Sequence, residues 1–230
     1  NGNREKGDPQ KGTLRRIPRR TLSFIGFEKE LGLHNAEMST TPQPLNEHGI
    51  EAQQAEIKGR LAAAREPIHA NNMRLASDGL WTIPPSGETA REYLTDSVED
   101  DGLIIATNMS DSIRYHTMGN TEAPTGGRLD APHVSLETDT IMPESLITSI
   151  QPHYQVPNAE ALPSYFSYAI RLAGPLLALG VNSPFFPPDL YDDGATARTV
   201  IDDAWMGNRI KVFETSLNTD QARKVRFPEE

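Results

Sequence analysis

The sequence predicts a fold of the α+β class, in which helices and strands occur as separate runs along the chain. The clearest helical pattern covers residues 46–73, where apolar side chains recur with a period close to 3.6. Alternating residues at 133–137 and 147–156 indicate two neighbouring strands. The longest apolar run, at 164–179, is apolar on nearly all sides and therefore predicts a buried helix.

The shorter elements lie between and beyond these runs. Residues 21–27 and 208–214 read as strands, the second with Arg209 on one of its faces. Helices are predicted at 88–93 and 195–205.

The strand predicted at 149–156 carries two polar side chains that could bind a ligand. Pro152 disfavours the helical region for the residue before it, which supports an extended chain. Side chains alternate between the faces of a strand, so His153 and Gln155 point to the same side. The alternative is an ordinary half-solvated strand without a ligand.

Three glutamates near the start of the chain form a second candidate. Glu28 and Glu30 share a face if the strand continues to residue 30, whereas an unbroken strand would place Glu30 and Glu37 on opposite faces. Gly32 offers a bend or bulge that could realign the two acids. The alternative is a surface strand end with solvated glutamates.

The apolar run at 164–179 raises a separate question of packing. Pro163 can begin a helix, and Gly174-Pro175 should break or kink it. Arg171 is the only charge in the run, so burial would require an acidic partner or a polar cavity. The run is too short and too interrupted to span a bilayer.

Charge is distributed unevenly along the 230 residues, whose net charge is −10. Residues 1–20 hold seven Lys and Arg against Glu5 and Asp8, and the rest of the chain is strongly acidic. An acidic body argues against general nucleic-acid binding. We expect the basic stretch to be a disordered or loosely held arm rather than a nucleic-acid anchor.

The chain has no cysteine, which excludes disulfides and thiolate chemistry. A metal would have to be held by oxygen and imidazole ligands, a set that favours magnesium or manganese over zinc. The sequence contains no P-loop, GxGxxG, HExxH or GxSxG motif. No signal peptide is visible, so we expect a cytoplasmic protein.

Three pieces of the sequence together resemble the glutamate–cysteine ligase family of carboxylate–amine ligases. Glu30 and Glu37 stand seven residues apart before Thr40 and Pro42, which is similar to an acidic strand of that family. The segment His153-Tyr154-Gln155 is similar to the strand whose histidine binds metal. The most specific piece is LLALGVNSPF at 176–185, which is similar to the helix-to-NSPF segment.

The resemblance implies a glutamine-synthetase-like fold, a mostly antiparallel sheet that forms an open cup with helices on its outer face. It also implies an ATP-dependent ligase that uses Mg²⁺ or Mn²⁺ to join the γ-carboxylate of glutamate to an amine such as cysteine, as in glutathione biosynthesis. The implied metal ligands are Glu30, Glu37 and His153. Substrate or nucleotide contacts fall on Gln155 and Asn182, and Arg209 becomes the catalytic phosphate contact.

The resemblance is incomplete in two places. The family's first acidic strand and its C-terminal half have no counterpart that we can identify, so we expect residues 21–230 to be a single catalytic-type domain that is incomplete at both ends. The alternative is a non-catalytic family member that serves as a binding or assembly module. We expect small-molecule substrates and no nucleic-acid or membrane partner, and a homo-oligomer is compatible with the sequence.

Overall fold

The structure is a computed structural model that describes residues 14–83, 85, 87–122, 127–204 and 207–216. Its helices are α1 (Arg19–Ile25), α2 (Glu47–Ala70), α3 (Ala90–Thr95), α4 (Ile113–Glu122), α5 (Leu162–Gly180), α6 (Ala197–Ala204) and α7 (Asn208–Ser216). Its strands are β1 (Glu28–Lys29), β2 (Ala36–Glu37), β3 (Ser97–Asp100), β4 (Leu103–Ala106), β5 (Gly127–Ala131) and β6 (Val134–Thr138). Short 3₁₀ helices lie at Met142–Leu146, Ala159–Ala161 and Pro188–Leu190.

The predicted α+β class is confirmed, and the strands pair in antiparallel fashion. β1 pairs with β2, β3 with β4, and β5 with β6. In the described part of the chain these are three separate two-stranded sheets, not one continuous sheet. Two-stranded pairs are marginal by themselves, so their stability comes from packing against the helices and turns around them.

The main hydrophobic core lies between the β5–β6 pair and the elements that cover it. Leu129 and Leu136 face each other across that pair and are fully buried. Leu94 of α3, Leu146 and Val212 of α7 close the same core. The core therefore joins the middle of the chain to its last described helix.

A second, smaller core joins α1 to α2. Leu22, Phe27 and Ala64 are buried together there. The prediction of a strand at 21–27 is wrong, because the chain forms a helix that ends at Gly26 in the left-handed conformation, with φ of 69°. The helix prediction at 46–73 is confirmed, and the Asn46 side chain caps its first turn by accepting a hydrogen bond from the Gly49 amide.

Helix α5 confirms the helix predicted in the apolar run, but the prediction that it is buried is wrong. None of its described residues is buried, and Leu179 and Tyr168 are 86% and 63% exposed. The helix also continues past Pro175 to Gly180, so the proline does not end it. A helix that is apolar on all sides is expected to be buried. The pattern does not show whether other parts of this chain pack against the helix and bury it.

Two predicted strands that carry candidate residues are also wrong. Residues 149–156 pair with no other strand in the described chain, and Ile150 is 94% exposed. Residues 208–214 belong to α7, which packs against β5 through the fully buried Val212. A seven-residue window is too short for alternation alone to separate strand from helix.

Part of the basic N-terminal stretch packs on the body. Leu14 forms a bridge with Pro85, and the Arg16 guanidinium donates a 2.9 Å hydrogen bond to Glu88 and another through Nε to Asn108 at 2.8 Å. Residues 1–13 of the predicted arm lie outside the described residues. Among the helices of the described ranges, none combines the length and the apolar character that a membrane crossing requires.

Candidate active site

Three of the candidate carboxylates are gathered by the β1–β2 hairpin. Glu28 lies directly opposite Glu37 in the antiparallel pair, and Glu30 follows Glu28 by two residues along the extended chain. The chain between them reverses direction, and Gly32 forms a bridge with Met109 within that reversal. The reversal, and not a bulge in one continuous strand, brings Glu30 and Glu37 to the same place.

The pKa of Glu37 is shifted by burial and by the neighbouring carboxyl groups. Burial raises the pKa of Glu37, and the negative charges of Glu30 and Glu28 raise it further. A hydrogen bond with Glu30 acts in the same direction, and the nearby Arg114 guanidinium opposes these effects. Glu37 is therefore a carboxyl group whose ionised form is disfavoured by its neighbours.

Helix α4 supplies the phenol and the cation that face this hairpin. The Tyr115 hydroxyl donates a 3.2 Å hydrogen bond to Oε2 of Glu30 and receives one from the Arg114 guanidinium. The Arg114 guanidinium also lies 4.6 Å from the centre of the Tyr115 ring. Much of the arginine's hydrogen bonding is thus directed to the phenol, and its charge only partly neutralises the carboxylates.

A fourth carboxylate approaches from a different segment of the chain. Glu144 lies in the 3₁₀ helix Met142–Leu146 and is half-buried. Burial raises its pKa, and the charge of Glu30 raises it further, which places the two groups within electrostatic range. We call Glu28, Glu30, Glu37 and Glu144 the acidic group.

A second set of functional groups is centred on Thr148 and Ser149, which follow Glu144 closely in the chain. The Arg209 guanidinium donates a 3.1 Å hydrogen bond to the Thr148 carbonyl and another to the Ser149 hydroxyl. The Thr148 amide donates to the Gly79 carbonyl at 3.3 Å. Although residues 149–156 do not form the predicted strand, Arg209 still contacts the beginning of the segment that holds His153.

Asn182 is brought to the same neighbourhood through Gly79. A side chain at Gly79 would collide with Asn182 Oδ1 and Ser183 Oγ, so glycine permits this close approach. Ser183 also forms a parallel bridge with Gly207, next to α7. We call Thr148, Ser149, Asn182, Ser183 and Arg209 the polar group.

The structure does not bring His153 and Gln155 to the acidic group. Both side chains are exposed on the segment that follows Ser149. No three His, Asp or Glu side chains of the described residues converge closely enough to hold a metal ion by themselves. Glu30 and Glu37 are thus together, and the imidazole expected beside them lies elsewhere.

The acidic group nevertheless fits a magnesium ion that is shared with a phosphate ligand. Mg²⁺ in proteins usually keeps several waters and is bound through one or two carboxylates together with substrate phosphates, so an all-protein cage is not required. Burial is the main cause of the raised pKa values of Glu37 and Glu144, and the charge of Glu30 adds to it; a divalent cation would counter the repulsion from Glu30. Carboxylate oxygen is also the hard donor that this ion prefers.

Sequence reasoning missed three side chains of this site. Glu144, Arg114 and Tyr115 stand in no recognisable motif, and their approach depends on tertiary packing. The only available signal was that Arg114 and Tyr115 fall in a stretch dense in polar groups at 108–116.

Comparison with known proteins gives one match that covers nearly the whole chain. A family model described as Glutamate-cysteine ligase family 2 (GCS2) matches residues 7–229. No curated protein matches the chain, and no solved structure matches it.

Proposed function

The chain belongs to glutamate-cysteine ligase family 2, and we propose that it joins the γ-carboxylate of glutamate to an amine with the aid of Mg²⁺. Membership of the family implies a glutamate–cysteine-ligase-like, ATP-dependent ligase activity. The observation that carries the finer proposal is the convergence of Glu30 and Glu37 beside Glu28.

The proposed reaction has two steps that balance. A γ-carboxylate oxygen attacks the terminal phosphorus of ATP, the bond to the bridging oxygen breaks, and ADP leaves with the electron pair. The nitrogen of the amine then attacks the carbonyl carbon of the acyl phosphate, inorganic phosphate leaves, and the nitrogen loses a proton to give the amide. Neither step needs a covalent bond to the protein, which agrees with the lack of a cysteine or serine nucleophile motif.

We assign the acidic group to the metal end of this site. Glu30 and Glu37 would hold Mg²⁺, with Glu28 and Glu144 close enough to share the role through water. When bound, Mg²⁺ neutralises charge on the ATP phosphates. The Tyr115 hydroxyl, which donates to Glu30 and accepts from Arg114, would orient Glu30, and Arg114 would meet a phosphate oxygen.

We assign the polar group to the nucleotide or substrate end. Arg209 would steady the transferred phosphoryl group by its charge, and Asn182 would hydrogen bond nucleotide or substrate. Glu144 of the acidic group and Thr148 of the polar group are separated along the chain only by residues 145–147. His153 and Gln155 follow Ser149 on an exposed segment, and we keep them as candidates for metal and substrate contact from there.

The activity is tested by incubating the chain with ATP, MgCl₂, glutamate and a panel of amines that includes cysteine. The expected result is release of inorganic phosphate together with a γ-glutamyl amide identified by mass spectrometry. Arg209→Lys tests the phosphate contact, because lysine keeps the charge but not the planar fork. Absence of product with every amine would contradict the proposal.

The alternative of a non-catalytic member is favoured by one observation. No group of three metal-ligating side chains converges in the described residues. A folded chain that binds neither ATP nor Mg²⁺, yet associates with another protein, would support this reading over the ligase.

A further inference from the structure

His34 lies in the turn of the β1–β2 hairpin and has a defined partner at each ring nitrogen. Its Nδ1 lies 2.9 Å from the Tyr93 hydroxyl, and its Nε2 lies 3.0 Å from the Ser145 carbonyl oxygen. A carbonyl oxygen can only accept, so Nε2 must carry the proton. Nδ1 is then the acceptor from Tyr93, and the neutral imidazole satisfies both partners.

The surrounding rings and backbone fix the orientation of this imidazole. Trp81 and Tyr93 meet the ring edge to face, each with centroids 5.5 Å away. A Cβ at Gly32 would lie 2.6 Å from His34 Cε1, so glycine leaves room for the ring. The imidazole therefore has little freedom to turn.

The two hydrogen bonds connect segments that are far apart in sequence. Ser145 directly follows Glu144, and its carbonyl receives a second hydrogen bond from the Trp81 indole at 3.2 Å. Glu30 and Glu37 flank His34 on either side along the hairpin. One side chain thus joins the hairpin that carries three carboxylates of the acidic group to the turn that carries the fourth.

We propose that His34 is a positioning residue that holds the hairpin bearing Glu30 and Glu37 against the turn bearing Glu144. This inference rests on the proposed function only in so far as those carboxylates bind Mg²⁺. The link through Nε2 to Ser145 sets the separation of the carboxylates, and the link through Nδ1 to Tyr93 fixes the ring.

Two substitutions of His34 by amide side chains test its two hydrogen bonds one at a time. In His34→Gln the amide nitrogen falls near the former Nε2 and keeps a donor for Ser145. In His34→Asn the amide oxygen falls near the former Nδ1 and keeps only the acceptor for Tyr93. Each variant loses one hydrogen bond, so a purely structural role would change the properties of the acidic group equally in both.

The first readout is hydrogen exchange of the backbone amides in the β1–β2 hairpin and in Met142–Leu146, followed by NMR without metal. We expect protection close to that of the wild type in His34→Gln and a loss of protection in both segments in His34→Asn. Trp81→Phe removes the other donor to the Ser145 carbonyl and should lower the protection of Met142–Leu146 too, which provides a second test should His34→Asn fail to fold. Unchanged protection in the folded variants, or equal losses in both amide variants, would overturn the proposal.

The second readout is the Mg²⁺ dissociation constant from calorimetry in the presence of a non-hydrolysable ATP analogue. We expect an increase of about tenfold or more in His34→Asn and a value close to wild type in His34→Gln. If the wild-type chain binds no Mg²⁺, the proposed function fails, while the NMR measurement still decides whether His34 positions the carboxylates.

Discussion

Glu37 lies directly opposite Glu28 in the β1–β2 hairpin, so two side chains of like charge occupy one cross-strand pair. Such a pair destabilises a sheet, and this one is further disfavoured by Glu30 and by partial burial. The arrangement costs stability in the free chain and suits a cation that would bind between the carboxylates.

Neutralising Glu37 should therefore stabilise the free protein. The raised pKa of Glu37 means that its ionisation is more costly in the folded chain, so the penalty grows as pH rises above the ordinary value of 4.5. We expect Glu37→Gln to increase the free energy of unfolding by about 0.5 kcal/mol at pH 7, measured in urea without divalent ions. The gain should shrink as pH falls toward 4.5 and should be small below that value.

A matched control is Glu66→Gln, at an exposed position on α2. This substitution should leave the unfolding free energy at pH 7 unchanged, because the side chain lies exposed away from the crowded carboxylates. If Glu37→Gln is instead destabilising at pH 7, the carboxylates are not crowded as described.

The buried ring of His34 predicts a loss of stability in mild acid. Burial lowers the pKa of His34 from 6.5 to about 4, although the Ser145 carbonyl opposes this shift. The unfolded chain therefore binds more protons between pH 6.5 and 4, and the contribution of His34 is complete above pH 6.5 and declines as pH falls through this window. Tyr93, whose pKa is raised by burial, stays protonated throughout.

Urea unfolding at several pH values checks this expectation by comparing the wild type with His34→Gln. The wild type should lose more stability than the variant between pH 6.5 and 4. Parallel curves for the two proteins would show that the imidazole is not held in its neutral form.

A buried leucine and an exposed leucine of this chain should respond differently to replacement by alanine. Leu136 is 1% exposed in the main core, and Leu136→Ala should cost about 2–5 kcal/mol of unfolding free energy. Leu179 is 86% exposed on α5, and Leu179→Ala should change stability by no more than about 0.5 kcal/mol. Thermal or urea unfolding of both variants measures the contrast, and equal losses would place α5 in a packed environment.

Helices with strong local signals could be predicted from the sequence. The period of apolar residues in α2 marks that helix correctly, and the apolar run predicts the extent of α5 closely. The environment of α5 could not be predicted in the same way, because burial depends on what the rest of the chain places against it.

The short elements failed because local patterns there are weak. Residues 21–27 and 208–214 resemble strands by composition and alternation, yet the packing of Leu22 against Ala64 and of α7 against β5 favours helices. Tertiary contacts override propensity most easily in segments of this length.

The sequence could predict the part of the candidate site whose residues are close together along the chain. Glu30 and Glu37 are close in sequence, and a reversal near Gly32 is enough to bring them together. Glu144 lies more than 100 residues away and reaches them through a turn that His34 holds, a relationship that no local pattern encodes.

The central claim is that the carboxylates of the β1–β2 hairpin bind Mg²⁺ for an ATP-dependent ligase. Calorimetric titration of MgCl₂ into the protein with a non-hydrolysable ATP analogue tests it most directly, with Glu30→Gln, Glu37→Gln and the control Glu66→Gln alongside the wild type. We predict that the wild type and the control bind with equal affinity, and that each hairpin variant binds at least about tenfold more weakly. Wild-type affinity in both hairpin variants, or no binding by any of the four proteins, would contradict the account.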